Sequence, residues 1–147
     1  MKIAVASDHG GLQLKKVIIK YLKQSGYQIT DFGTENEESV DYPDFAGKAA
    51  KAVAKGECDK GIVICGTGIG VSITANKIKG IRCALVHDCF SAKATAQHND
   101  TNMLAMGQRV IGEGLAIDIV YTWLTTPYEG GRHDLRIKKM MAYEEEQ

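Results

Sequence analysis

Short apolar runs alternate with amphipathic helical patterns from one end of this chain to the other, and that alternation limits its fold more than any other feature. Lys2–Ser7 reads as a strand and Leu12–Ser25 as a helix, with Leu14, Val17, Ile18, Tyr21 and Leu22 at three- and four-residue spacing and Gly26 as its stop. Tyr27–Phe32 is a second strand, and Pro43 opens a helix that reaches about Lys55. Gly61–Cys65 is wholly apolar, as a strand covered on both faces must be. Gly68–Lys79 is helical, Ile81–Val86 a strand, Cys89–Gln97 a helix and Met103–Met106 a fifth strand. Two helices, Glu113–Thr125 and Arg132–Glu144, complete the chain, with Pro127 between them. Strands alternating with helices in this way predict an α/β fold, a Rossmann-like three-layer α/β/α sandwich around a five-stranded, mainly parallel sheet. No linker or repeat interrupts the pattern, and 147 residues suit a single domain spanning 1–147.

In a sheet of this kind ligands sit beyond the carboxyl ends of the strands. Glycine, at sixteen of 147 residues, exceeds the usual level of about 7%, and its distribution follows that rule. Gly10 and Gly11 follow the first strand, and Gly66, Gly68 and Gly70 follow the third. The last three open a helix, where a tight backbone turns several N–H groups toward one point and adds the positive end of the helix dipole. Such a nest holds a phosphate or a developing oxyanion. The spacing is GxGxG after the third strand rather than GxGxxG, so a dinucleotide fingerprint fits poorly, and no GxxxxGK[ST] loop is present. A tight turn with no ligand remains the plain alternative.

Composition removes other classes. Eighteen basic and eighteen acidic residues give a net charge of zero, which argues against nucleic acid or an anionic membrane surface as partner. The longest uncharged stretch, Gly61–Asn76, is too short for a membrane span and contains four glycines. The N-terminus lacks a signal core, and Cys58, Cys65, Cys83 and Cys89 have no CxxC spacing, so free thiols in a reducing cytoplasm are expected. The neutral total hides segregation: six acids and no base lie between Gln24 and Gly47, whereas Arg132–Lys139 holds four bases and one acid.

Cys65 stands at the mouth of the glycine loop, where backbone donors and a helix N-terminus favour the thiolate and suit it to act as nucleophile or base. Thr67 adds a hydroxyl beside it. Asp8 and His9 bring a carboxylate and an imidazole to a neighbouring strand end, and His98-Asn99 lies just ahead of the fifth strand. Arg132 and Arg136, one helical turn apart behind Gly130-Gly131, present two guanidinium forks on one face, which suits a phosphate dianion. No histidine pair has ligand spacing with a carboxylate, so no metal site is expected.

Taken in order, Ser7-Asp8-His9-Gly10-Gly11, Asp41-Tyr42-Pro43, Cys65-Gly66-Thr67-Gly68-Ile69-Gly70, His98-Asn99, Gly107-Gln108-Arg109 and the Arg132…Arg136 pair resemble ribose-5-phosphate isomerase of type B across essentially the whole chain. That family also includes galactose-6-phosphate isomerase subunits and activity on allose 6-phosphate. The resemblance implies interconversion of D-ribose 5-phosphate and D-ribulose 5-phosphate through an enediolate, in the pentose phosphate pathway, without metal or cofactor. Because the loop cysteine is present, the chain resembles the branch that uses it as base. By that resemblance Cys65 is the base, Thr67 assists transfer between the sugar oxygens, and His98 with Asp8 opens the furanose ring. Gly66, Gly68 and Gly70 line the anion hole, Tyr42 and Asn99 bind hydroxyls, and His9, Arg109, Arg132 and Arg136 bind phosphate. It further implies a homodimer or a dimer of dimers with shared sites, in which His98, Asn99 and Arg109 face a partner's Cys65 loop.

Three alternatives stand beside the five-carbon isomerase reading. A six-carbon sugar phosphate would need a pocket one hydroxymethylene deeper. A thiol phosphohydrolase would need an arginine where Val71 stands. A non-catalytic sugar-phosphate binding module would bind without turnover.

Overall fold

The computed structural model describes residues 1–146; Gln147 lies outside the described residues. Five strands, β1 (Lys2–Ser7), β2 (Gln28–Asp31), β3 (Lys60–Cys65), β4 (Cys83–Leu85) and β5 (Met103–Gly107), form one sheet in the order β2-β1-β3-β5-β4. Every pairing is parallel, so the sheet is wholly rather than mainly parallel. The helices are α1 (Leu12–Gln24), α2 (Tyr42–Ala54), α3 (Ile69–Asn76), α4 (Cys89–Ala94), α5 (Glu113–Thr125) and α6 (Arg132–Ala142).

Side-chain size separates the two faces of the sheet. Ile3, Val5, Ile62, Ile64, Leu104 and Met106 point to one face, where α1 and α5 bring Leu14, Ile18, Leu22, Ile119 and Trp123. The intervening Ala4, Ala6, Val63, Cys65 and Ala105 point to the other, against Ala46, Ala49, Ala50 and Val53 of α2 and Val71 and Ala75 of α3. Strand alternation sends successive residues to opposite faces, so a bulky row and a small row follow directly from the sequence. The small row lets α2 and α3 lie close to the sheet, and α3 begins at the Cys65 loop.

Several ends differ from the sequence expectation, each for a local reason. The third helix stops at Asn76 rather than Lys79, because the Asn76 carboxamide donates to the Ser72 and Cys83 carbonyls and accepts from the Cys83 N–H. That clasp ties the helix end to β4, itself only three residues long. Beyond α4 the chain continues as a wider π turn, Thr95–Asn99, which carries His98. The last helix gives way at Tyr143 to a 3₁₀ turn, where the Glu144 carboxylate accepts from the Gly80 N–H at 3.0 Å.

The connection from β1 to β2 runs one way along the sheet and the path to β3 runs the other, so the direction of winding reverses between β1 and β3. A crevice opens beyond the strand ends at such a reversal, and it is the preferred ligand position in this architecture.

Candidate active site

The crevice at that reversal holds the first group of sequence-predicted residues. A cavity of about 500 Å³ is lined by Asp8, His9, Tyr42, Cys65, Gly66, Thr67, Gly70 and Arg109, with Ile69 and Ile73 on its rim. At its floor the Cys65 Sγ accepts the Gly68 N–H at 3.0 Å, which fixes the sulfur at the start of α3. Gly68 takes a left-handed φ of 78°, and a Cβ there would lie 2.7 Å from the Met106 carbonyl carbon, so the loop demands glycine. Gly70 faces Tyr42, whose ring a Cβ would meet at 2.5 Å, and the phenol thereby leans on the nest.

The turn after β5 fastens the other side of the loop. Gln108 N–H donates to the Cys65 carbonyl at 2.9 Å and Arg109 N–H to the Gly66 carbonyl at 3.0 Å. The Gln108 side chain also accepts from Leu14 N–H in the first turn of α1 at 3.0 Å. The Gly107 N–H in turn donates to His87 Nε2 at 3.0 Å, and burial lowers the His87 value below its usual 6.5, opposed by the nearby Asp88 carboxylate. A neutral His87 therefore acts as acceptor behind the loop. The strand-end rule pointed at His87-Asp88, directly after the fourth predicted strand, but His87 held no place in the sequence reading.

Asp8 is nearly buried, and one of its oxygens accepts from Gly10 N–H at 2.9 Å and Gly11 N–H at 3.2 Å. It shapes the strand-end turn as well as lining the cavity. His9 Nδ1 accepts from Val40 N–H at 3.2 Å, and Thr67 Oγ1 from Ile69 N–H at 3.2 Å. Burial pushes the Cys83 thiol up to about 12, so of the other cysteines this one is held inert.

The second group lies elsewhere. His98, Asn99 and Arg136 line a separate cavity of about 300 Å³ with His133, Ile137 and Met140, sharing no residue with the first. The all-parallel sheet explains the separation. Cys65 pairs with Gly107 at the carboxyl end of β5, whereas Met103, just after His98-Asn99, pairs with Gly61 at the amino end. Four strand residues span about 13 Å, and α4 with its π turn carries His98 back over that distance. Lying ahead of a strand is therefore not equivalent to lying after one, and His98-Asn99 stands outside the strand-end crevice of its own chain. Arg109 corrects the expectation. The implied arrangement set it with His98 against a partner's loop, but its side chain lies over Gly66 of its own chain, where a Cβ would be 3.5 Å from Nε.

Arg132 and Arg136 occupy the exposed first turns of α6, as the sequence predicts. Neither they nor Arg109 form an ion pair among the described residues, so three guanidinium charges are free to meet an anion. Along the chain no histidine pair has ligand spacing with a carboxylate, but the fold brings one such group together. His98, Glu129 and His133 converge, with donor atoms all within 4.8 Å of one another. Sequence spacing could not show this, since His98 and His133 belong to different elements.

A thiol in a backbone nest with free arginines suits proton abstraction beside a carbonyl. Comparison with known proteins decides the family. A profile of the ribose/galactose isomerase family matches residues 3–140. The chain belongs to this family. It is 49% identical over 144 residues to ribose-5-phosphate isomerase B of Escherichia coli, covering 98% of this chain and 97% of that one. A solved ribose-5-phosphate isomerase B of Clostridium thermocellum superposes with a TM-score of 0.98 at 54% identity, covering 99% of each chain. That of Mycoplasma genitalium, solved with bound ribulose-5-phosphate, gives a TM-score of 0.95 at 42% identity over 99% of this chain and 97% of that one. Family membership makes the chain an enzyme, an intramolecular oxidoreductase of the aldose–ketose isomerase class. No helix among the described residues is long and apolar enough to cross a membrane.

Proposed function

We propose that this chain, acting as one domain, interconverts D-ribose 5-phosphate and D-ribulose 5-phosphate through an enediolate, with Cys65 as base. The observation that carries the reading is the Cys65 Sγ seated 3.0 Å from Gly68 N, in a loop whose Gly66, Thr67 and Gly70 line the same cavity. The thiolate takes the proton from C2 of the open-chain aldose and returns it at C1, while Thr67 moves a proton between O1 and O2. Gly66 and Gly70 supply backbone donors to the enediolate oxygen, each aligned donor worth roughly 3–4 kcal/mol, whereas the Gly68 N–H, expected among them, is taken up by the Cys65 sulfur. Tyr42 and Asn99 hold hydroxyls, and His98, with Asp8, opens the ring. His9, Arg109, Arg132 and Arg136 bind the phosphate, whose remote binding energy keeps C1 and C2 at the sulfur.

The two halves of this machinery stand at opposite ends of one sheet. The working enzyme is accordingly a homodimer, alone or paired into a tetramer. Each Cys65 cleft then receives His98, Asn99, Arg132 and Arg136 from the other chain, while Arg109 stays with its own cleft. The reaction belongs to cytoplasmic pentose phosphate metabolism and uses no cofactor. A six-carbon aldose phosphate is the second reading, favoured by a family whose description names galactose beside ribose.

The test is to incubate the protein with ribose 5-phosphate and follow ribulose 5-phosphate, beside allose and galactose 6-phosphates under the same conditions. Fastest turnover of ribose 5-phosphate is expected. Equal turnover by wild type and Cys65→Ala would overturn the base assignment.

A further inference from the structure

Three segments with no local relationship in sequence meet around one point. His98 comes from the π turn after α4, Glu129 from the loop after α5, and His133 from the first turn of α6. His133 is only 5% exposed, yet its Nε2 has no hydrogen-bond partner. The Glu129 carboxylate lies 3.4 Å away, near enough to attract but without the alignment of a hydrogen bond. The His98 and His133 rings lie 4.6 Å apart at their centroids and 19° from parallel. A buried imidazole nitrogen without a partner has lost its water with nothing in exchange, and here it sits beside a second imidazole and a carboxylate.

The surrounding backbone keeps the three residues together, and because stacked rings aim their lone pairs along nearly parallel planes, one imidazole turns about its side-chain torsions when both bind a shared ion. Glu129 N–H donates to the Gln97 carbonyl at 3.1 Å, which fastens the Glu129 loop to the residue before His98. His133 N–H donates to the Gly130 carbonyl at 3.2 Å. The neighbouring acid, Asp134, is engaged by the Tyr128 hydroxyl at 2.7 Å, leaving Glu129 as the carboxylate that faces the two rings.

We propose that His98, Glu129 and His133 form a binding site for a first-row divalent cation, zinc above all. Two imidazoles and one carboxylate are the donor set of three-ligand zinc sites that keep a fourth position open. Magnesium and calcium prefer all-oxygen sets, which this cluster does not offer. His98 and His133 line the same cavity as Asn99 and Arg136, which leaves room beside the cluster for a further ligand. A zinc ion there lowers the cost of the buried His133 nitrogen and occupies His98. Resting on the reading of His98 as the ring-opening group, zinc is then a reversible inhibitor that competes with the sugar phosphate.

The experiment begins with metal binding alone, so that it stands whether or not the isomerase reading does. Cobalt(II) titrated into the full-length protein should bind once per chain and give the visible absorption of a tetrahedral nitrogen–oxygen site, without a thiolate-to-cobalt charge-transfer band. Zinc should displace it. Glu129→Gln, an exposed position, should weaken cobalt binding by at least about tenfold, as befits loss of a direct ligand when supporting residues alone are worth that much. His133→Gln should do the same, with thermal unfolding as the check on its fold. In the isomerase assay, micromolar zinc should inhibit wild type, and a chelator should restore it. Glu129→Gln should keep its basal turnover and lose the inhibition. No cobalt spectrum, a spectrum unchanged in Glu129→Gln, or a charge-transfer band that disappears with Cys65→Ala would overturn the site. Cobalt binding as described with no zinc inhibition would keep the site and reject His98 as the ring-opening group.

Discussion

The Cys65 cleft and the His98–Arg136 cluster are built from different materials. Main chain makes the first: Cys65, Gly66, Gly68 and Gly107 are fixed by hydrogen bonds to neighbouring backbone and by contacts too close for any side chain at Gly68. Side chains on helices and a loop make the second, with exposed arginines and a cavity of about 300 Å³. A backbone nest needs no rotamer to be ordered and keeps its dipoles aimed while charge develops. A guanidinium pair is ordered by the phosphate it meets. On the proposed reading, proton transfer at Cys65 sits in the rigid half and ring opening by His98 in the adaptable half, and the phosphate contacts are divided between the two.

The sharpest break in this comparison is Cys65→Ala, which should lower kcat for ribose 5-phosphate by about 10²–10⁴-fold, with little change in KM. Progress curves at saturating substrate read it directly. If the two halves meet only across a subunit boundary, Cys65→Ala and His98→Asn chains co-expressed should regain activity beyond the sum of the separate variants. Random pairing leaves about one intact site in four, and purified mixtures no more active than either parent would show that each chain works alone.

Arg136→Ala should raise KM for the sugar phosphate by about tenfold or more while sparing kcat, since a charge-assisted pair contributes about 1.5–3 kcal/mol. Arg136→Lys should recover only part of that, because an ammonium lacks the fork. In the rigid half, Gly68→Ala should lower unfolding free energy by about 1–3 kcal/mol in denaturant titrations, from its left-handed backbone and the contact with Met106.

The smallest effect belongs to pH. His87 is held below its ordinary 6.5 by burial, so it stays neutral and accepts from Gly107 at pH 7. Below about pH 6.5 the unfolded chain takes up the proton before the folded one does, so stability should decline as pH falls. Once His87 itself is protonated the acceptor is lost and the Cys65 loop loosens, so kcat should drop by about tenfold or less on this account. His87→Gln, whose carbonyl accepts at any pH, should flatten that limb of the kcat profile without altering KM.

The strands and helices were legible because the two periodicities, two for strands and 3.6 for helices, are written in side-chain polarity. Boundaries slipped where a tertiary bond intervened, as when Asn76 clasps Cys83 and ends α3 early. In the site, Cys65, Thr67, Asp8 and His9 were readable because each follows a strand directly, and strand ends are where this architecture opens. Arg132 and Arg136 were readable as a helix-face pair. The role of His87 was within reach of the same rule. The convergence of His98, Glu129 and His133 was not, since nothing local to any one of them specifies the others.

By itself, then, the order of residues determined the layered α/β architecture, the glycine nest and the thiol at its mouth, all of which depend on neighbours along the chain. Which end of the sheet each segment occupies was decided only by the tertiary structure. A strand's direction and its place in the order β2-β1-β3-β5-β4 come from packing a bulky and a small face against different helices. That packing divides the proposed site groups between opposite ends of the sheet, leaving the long-range partners of His98 and Cys65 to be set by contacts no local pattern encodes.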